Sequence, residues 1–218
     1  MTSQVAAFQW VPDFAQGFVR DLRVRWALEE AGQPYETVLI KGEEKDAVAY
    51  RAWQPFGQVP AFRDGNIEMF ESGAIVLHLA EQSEALSPRD AAGRARVMTW
   101  VIAALNSVEP YSWNFIHFNG EGAGEAWAEK RRAELEAALD RRLAPLEQRL
   151  SGRDYLEDRF TAGDIIMSTA LRELMSFGRG ALARYPALTA YVERCTARPA
   201  FIRALEAQMK PFRESAAA

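Results

Sequence analysis

The sequence predicts an α/β N-terminal domain followed by an all-α C-terminal domain, and three observations carry that prediction. Up to about residue 82, short apolar runs of strand character alternate with helical spacing. From 82 to 93 the composition shifts to QSEALSPRDAAG, clustered in Ser, Pro and Gly. Beyond that stretch every periodic segment is helical. The domains are therefore placed at residues 1–82 and 93–218, with 83–92 as a linker.

Val5 to Trp10 reads as a first strand, ended by Pro12. From Phe18, FVRDLRVRWALEEAG has helical spacing at Leu22, Trp26 and Leu28, with Val19 and Arg23 flanking. It stops at Gly32, a natural residue just past a helix end, with Pro34 behind it. Thr37 to Ile40 completes a βαβ unit, and Glu43 to Trp53 is a charged, weakly helical stretch. Ala61 to Arg63 and Ile67 to Phe70 read as strands joined through Asp64-Gly65, a dipeptide that tolerates the positive φ of a hairpin turn. A two-stranded hairpin is marginal in water, so the apolar run Ala74, Ile75, Leu77, Leu79 is expected on a helix that covers it, starting at Ser72.

In the second domain, Arg94 to His117 carries an apolar face through Val97, Val101, Ala104, Leu105 and Val108, with a kink expected at Pro110. Gly120 to Gly124 reads as a loop, and Ala126 to Leu150 as a long amphipathic helix containing Pro145. Thr161 and Asp164 form a capping box flanked by Phe160 and Ile165 as a hydrophobic staple. Pro186 and Pro199 each open a further helix at its first turn.

The run QPFGQVPAF…FESGAIVLHLAE resembles the glutathione transferase superfamily, in whose thioredoxin-like domain a cis-proline precedes the third strand and an acidic residue plus serine opens the next helix. The matching residues are Val59-Pro60 and Glu71-Ser72, and RVRWALEEAGQPYE resembles the first helix and following loop of bacterial members. The resemblance covers about residues 5–208. It implies a thioredoxin-like domain, an all-helical substrate domain, a homodimer and glutathione as co-substrate without a metal. The site it implies comprises Gln58, Val59, Pro60, Glu71 and Ser72, with Lys45 as a candidate for the glycine carboxylate. An X-Pro bond can be cis at little cost, which leaves the peptide groups of Val59 to pair with an extended peptide. A helix start favours a carboxylate at Ser72, and Glu71 suits an ammonium group; one γ-glutamyl residue carries both charges. The second substrate implied is a small apolar electrophile near Tyr111, Trp113, Asn114 and His117. The rival readings are a glutathione-dependent isomerase or reductive dehalogenase, and a non-catalytic glutathione-binding interaction protein.

Composition narrows the classes further. The net charge is −4, with basic and acidic residues interleaved, so no nucleic-acid footprint is present. No stretch approaches the length of a membrane span and the N-terminus lacks a signal pattern, which leads to the expectation of a cytoplasmic protein with no membrane partner. One cysteine, Cys195, excludes an internal disulfide, and two separated histidines offer no zinc spacing. His78 is expected to be packed rather than catalytic. Apolar residues around Phe56 and Met69 lack an obvious local cover, which agrees with a homodimer.

The sequence departs from the family pattern at thiolate activation. Family enzymes usually place a Tyr, Ser or Cys just after the first strand, but Phe14 to Phe18 is FAQGF, and no Ser, Thr, Cys or Tyr occurs between Ser3 and Tyr35. The catalytic group is therefore open among three substitutes: main-chain amides of Ala15 to Phe18 (Gln16, Gly17 and Phe18 included), expected at the start of the first helix; the side chains of Gln16 or Arg20; and Tyr111, Trp113 or Asn114 reaching across from the second domain.

Overall fold

The computed structural model describes residues 2–120 and 126–216. The chain divides into two compact units, Met1–Arg89 together with Arg198–Ala218, and Asp90–Ala197.

The first unit is built on a four-stranded mixed sheet of order β2-β1-β3-β4. Strand β1 (Ser3–Phe8) pairs in parallel with β2 (Tyr35–Ile40) and antiparallel with β3 (Ala61–Asp64), which pairs antiparallel with β4 (Ile67–Phe70). The crossover from β1 to β2 is helix α1 (Asp21–Ala31), closed by Gly32 at φ 64, where a left-handed conformation requires a residue without Cβ. The last ladder pair of the hairpin is Asp64↔Ile67, so its two-residue loop is Gly65-Asn66, with Gly65 at φ 59.

Strand alternation gives the sheet two covered faces. Ala6, Ile40, Val59 and Ala61 pack with Tyr50 and Trp53 of the short helix α2 (Val48–Trp53), whose Trp53 indole donates to the Phe62 carbonyl at 3.1 Å. Phe62 points the other way, edge-on to His78 of α3 (Ser72–Gln82), and α3 buries Ile75, Val76 and Leu79. His78 is thus packed as expected, and its ring nitrogen meets the Gln82 amide at 2.8 Å. The charged stretch expected over Glu43 to Trp53 breaks into a 3-10 turn at Glu44–Asp46 and α2.

Helix α9 (Pro199–Ala216) also belongs to this unit, whereas the sequence reading ran the second domain from 93 to 218. The reason is tertiary. Phe201 meets Trp26 edge to face at 4.9 Å, Arg198 forks onto both oxygens of Glu30 at 2.6 and 2.7 Å, and the buried Gln208 donates to Asp21 Oδ1 at 2.7 Å. Local spacing cannot announce partners about 170 residues away.

Among the described residues of the second unit the regular elements are all helices. Helix α4 (Ala91–Ala103) starts on Asp90, whose side chain accepts from the Gly93 amide at 2.7 Å. A π-turn (Ala104–Val108) then leads into α5 (Glu109–Gly120). Pro110 supplies no N–H, and the Glu109 amide bonds five residues back to Ala104, so the kink expected at Pro110 is taken up as a π-turn just before it. Helix α6 (Ala126–Leu150) runs as read and contains Pro145; the loop expected at Gly120 to Gly124 falls, past Gly120, outside the described residues.

At the centre lies α7 (Ala162–Phe177), buried continuously from Ala162 to Leu171. Its capping box is present: Asp164 Oδ2 accepts from the Thr161 amide at 2.8 Å, while Oδ1 accepts from Leu156 N and Tyr191 Oη at 2.9 Å each. Gly163 lets α7 approach α4, because a Cβ there would lie 2.7 Å from Trp100 Cβ. Glu157 clamps the same region, accepting from Trp100 Nε1 at 2.8 Å, Arg96 at 2.7 Å and Arg149 at 3.3 Å. Helix α8 (Pro186–Thr196) completes the unit and carries the buried Cys195, whose thiol is pushed up by that burial and is correspondingly inert.

Candidate functional site

Hairpin register gathers the predicted binding residues at one end of the sheet. The outermost pair of the β3-β4 ladder at that end is Ala61↔Phe70, and one step beyond it stand Pro60 and Glu71. The antiparallel β1-β3 register, Val5↔Phe62, brings the carboxyl end of β1 to the same edge.

The Val59-Pro60 peptide is cis. Both residues are buried, while Gln58 is exposed and its carbonyl accepts from Tyr50 Oη at 2.6 Å. Burial, with the Asp21 charge adding, pushes the Tyr50 phenol up to about 12, so it stays a hydrogen-bond donor at neutral pH. Gly57, at φ 63, packs so closely on the turn before α2 that a Cβ would lie 2.9 Å from the Lys45 carbonyl. Lys45 thus sits beside the entry to Val59-Pro60, its side chain half exposed and 3.6 Å from Asp46.

Glu71 is the N-cap of α3 at φ 69, ψ 113, a left-handed conformation that a side chain rarely adopts, and no side chain caps the helix. Such strain of about 1–3 kcal/mol persists only where surrounding structure fixes it. Glu71 is exposed, whereas Ser72 is only 4% exposed and accepts from Arg23 Nη1 at 3.4 Å. A buried guanidinium therefore backs the serine at an uncapped helix start, where amides and dipole already favour an anion. Sequence reasoning missed Arg23 and Tyr50. The only trace of the first was a charged residue beside the apolar stripe of α1.

The segment expected to activate a thiol is placed differently from the sequence reading. Helix α1 begins at Asp21, and residues 13–18 form a 3-10 turn at Asp13–Ala15 followed by further turns. The amides of Ala15, Gln16 and Phe18 are bonded to the carbonyls of Pro12, Asp13 and Ala15, so these three do not form an open helix start. The Gln16 side-chain amide donates to the Val11 carbonyl at 3.2 Å and to Asp13 Oδ1 at 3.1 Å, which occupies its donors locally. Gly17 takes φ 80 within the turn, and Arg20 sits half-buried at the N-cap of α1.

In the second unit, Trp113 stacks on His117 at 4.7 Å, and His117 Nδ1 lies 3.0 Å from the Trp113 carbonyl; both are exposed, as is Asn114. Tyr111 is engaged by α6, its hydroxyl accepting from Arg142 Nη2 at 2.6 Å with that guanidinium 4.3 Å over the ring. The described residues contain no group of three or more His, Cys, Asp or Glu that could hold a metal. No described helix is long and apolar enough to cross a membrane.

Residues 15–81 match the N-terminal domain of glutathione S-transferases, and residues 104–199 match the C-terminal domain. The chain belongs to the glutathione S-transferase family. Among curated relatives of this family, glutathione S-transferase F9 of Arabidopsis thaliana is 32% identical over 72% of this chain and 74% of its own length. Glutathione S-transferase F10 of the same plant is 31% identical over 74% and 76%. A glutathione transferase from Burkholderia graminis, solved with two glutathione molecules per subunit, superposes with a TM-score of 0.80 at 27% identity, covering 94% of this chain and 88% of that one. The family match spans both the strand-rich unit and the helical unit, in agreement with the thioredoxin-like α/β plus all-α class.

Proposed function

We propose that this glutathione S-transferase family member binds glutathione at the hairpin end of its first unit and transfers the thiolate to a small apolar electrophile. The observation that carries the reading is the pairing of a cis Val59-Pro60 peptide with the strained Glu71-Ser72 helix start across one hairpin register step. In this reading the main chain of Val59 pairs with the tripeptide backbone, with Gln58 beside it. Ser72, backed by Arg23, donates to the γ-glutamyl carboxylate, Glu71 takes the ammonium group, and Lys45 reaches the glycine carboxylate. The Burkholderia graminis relative, solved with glutathione bound, supports the ligand class. In the transfer step a carbon–sulfur bond forms, the electron pair of the broken bond leaves with the displaced group, and the thiol proton passes to solvent. The exposed Trp113–His117 face, with Tyr111 and Asn114 beside it in sequence, offers aromatic surface for an apolar electrophile.

The protein is also proposed to be a cytoplasmic homodimer. Phe56 is 61% exposed and stacks edge-on with Phe70, 37% exposed, at 5.9 Å, an aromatic pair that a second copy can cover. Sedimentation of Phe56→Asp as a dimer indistinguishable from the parent would remove this surface from the interface.

One observation favours a second reading, a glutathione-binding protein without transfer activity: no hydroxyl or thiol side chain lies between Ser3 and Tyr35, and the amides of Ala15, Gln16 and Phe18 are occupied. Retention on immobilised glutathione, followed by ultraviolet titration of the bound thiolate, separates the two. A thiol pKa below its free value of about 8.5 supports transfer, and retention with an undepressed thiol supports the binding protein.

A further inference from the structure

The connection from β1 to α1 spends most of its main-chain donors on itself. The amides of Ala15, Gln16 and Phe18 are bonded to carbonyls within the turns, and those of Leu22 and Arg23 to the carbonyls of Val19 and Arg20. The Asp21 amide meets its own carboxylate. Val19 differs from these: its N–H has no hydrogen-bond partner among the described residues. The residue is half-buried, and a main-chain donor in such a place is ordinarily paired.

Two sets of contacts fix where Val19 sits. Its side chain packs against the cluster of Ala6, Ile40, Tyr50, Trp53, Val59 and Ala61, so it shares a neighbourhood with the residue that forms the cis peptide to Pro60. Its carbonyl is held from α9, where Gln208 Nε2 donates to Val19 O at 3.0 Å and to Asp21 Oδ1 at 2.7 Å. Gln208 is only 1% exposed, so this clamp is shielded from water. Val19 also stands just ahead of Arg20, the N-cap of α1, where the helix dipole contributes positive potential.

We propose that the main-chain N–H of Val19 is the donor that holds the glutathione thiolate, and that Gln208 is its positioning residue. The inference rests on the reading that glutathione binds beside Val59. Pairing of the tripeptide backbone with Val59 brings the central cysteinyl residue, and with it the sulfur, into the neighbourhood that Val19 shares. A hydrogen bond to the charged form favours that form, so this N–H lowers the thiol pKa where the chain has no hydroxyl or thiol to do so. The thiol proton passes to solvent.

The test uses the full chain with Val19 replaced, by nonsense suppression, with its α-hydroxy acid analogue. This amide-to-ester change deletes the N–H, which bonds nothing inside the fold, and keeps the side chain. Ultraviolet titration is expected to show bound glutathione about ten times less acidic in the ester than in the parent. Calorimetry with S-methylglutathione, which has no thiol to ionise, is expected to give Kd values within about twofold of each other. Gln208→Met, which keeps the volume but loses the donor, is expected to weaken the thiol acidity in the same direction with S-methylglutathione affinity retained. Unchanged thiol acidity in an ester that still binds S-methylglutathione overturns the Val19 assignment and leaves the glutathione site standing. Failure of the parent to bind S-methylglutathione removes the site itself, and the inference with it. Parental thiol acidity in folded Gln208→Met overturns the positioning role, and should that variant not fold, the ester still decides on Val19.

Discussion

Arg23 Nη1 lies 3.4 Å from Ser72 Oγ, and the two side chains are 1% and 4% exposed. Helix α1 thereby fixes the rotamer of the residue that opens α3, and does so with a cation. If Ser72 binds the γ-glutamyl carboxylate as proposed, Arg23 is the residue that positions it. Arg23→Gln is expected to weaken glutathione binding, with Ser72→Ala adding little on top. A double-mutant cycle by calorimetry should give a coupling of about 0.5–3 kcal/mol. Strictly additive losses would mean that the two residues act apart.

The strain at Glu71 makes a prediction with opposite signs for stability and binding. Glycine adopts φ 69 freely, so Glu71→Gly is expected to stabilise the fold by about 1 kcal/mol, less the added entropy of its unfolded chain. The same change removes the carboxylate proposed to meet the ammonium group, so glutathione affinity should fall. Thermal unfolding and calorimetry read the two effects separately. A destabilised variant with unaltered affinity would contradict both halves.

Glu157 sets a pH dependence in the second unit. Burial alone raises its pKa, but the Trp100 indole and the Arg96 and Arg149 guanidiniums outweigh that and hold it below the usual carboxylate value. A depressed folded-state pKa contributes stability above the unfolded pKa and loses it as pH falls through the folded one. Glu157→Gln is therefore expected to cost about 1–2 kcal/mol at pH 7, the scale of hydrogen bonds to charged groups, and progressively less below about pH 4. Denaturant melts at both pH values check this. A penalty that grows on acidification would reverse the assigned sign.

The parts of the fold that were legible in the sequence are those set by local chemistry. The hairpin around Gly65, the stop at Gly32, the capping box at Thr161 and Asp164, and the proline ahead of β3 each depend on residues within a few positions of one another. The start of α1 was not legible, because Asp21 is held there by Gln208, 187 positions away. Arg23 was noted only as a flank of an apolar stripe, since nothing near it in sequence announces Ser72 as its partner. The same limit hid the contribution of Tyr50 to Gln58 and the membership of α9 in the first unit. At residues 13–18 the signals were local but competing: Pro12 and Gly17 favour tight turns, and these consumed the amides that a helix start would have left open.

The central claim is that the helix start at Ser72 holds the γ-glutamyl carboxylate, and isothermal titration of glutathione into the parent and Ser72→Ala tests it most directly. The expected result is binding by the parent and a loss of about 1.5–3 kcal/mol, roughly ten- to a hundredfold in Kd, in a variant whose melting is otherwise unchanged. Equal affinity in the two proteins, or no heat of binding in the parent, would contradict the account.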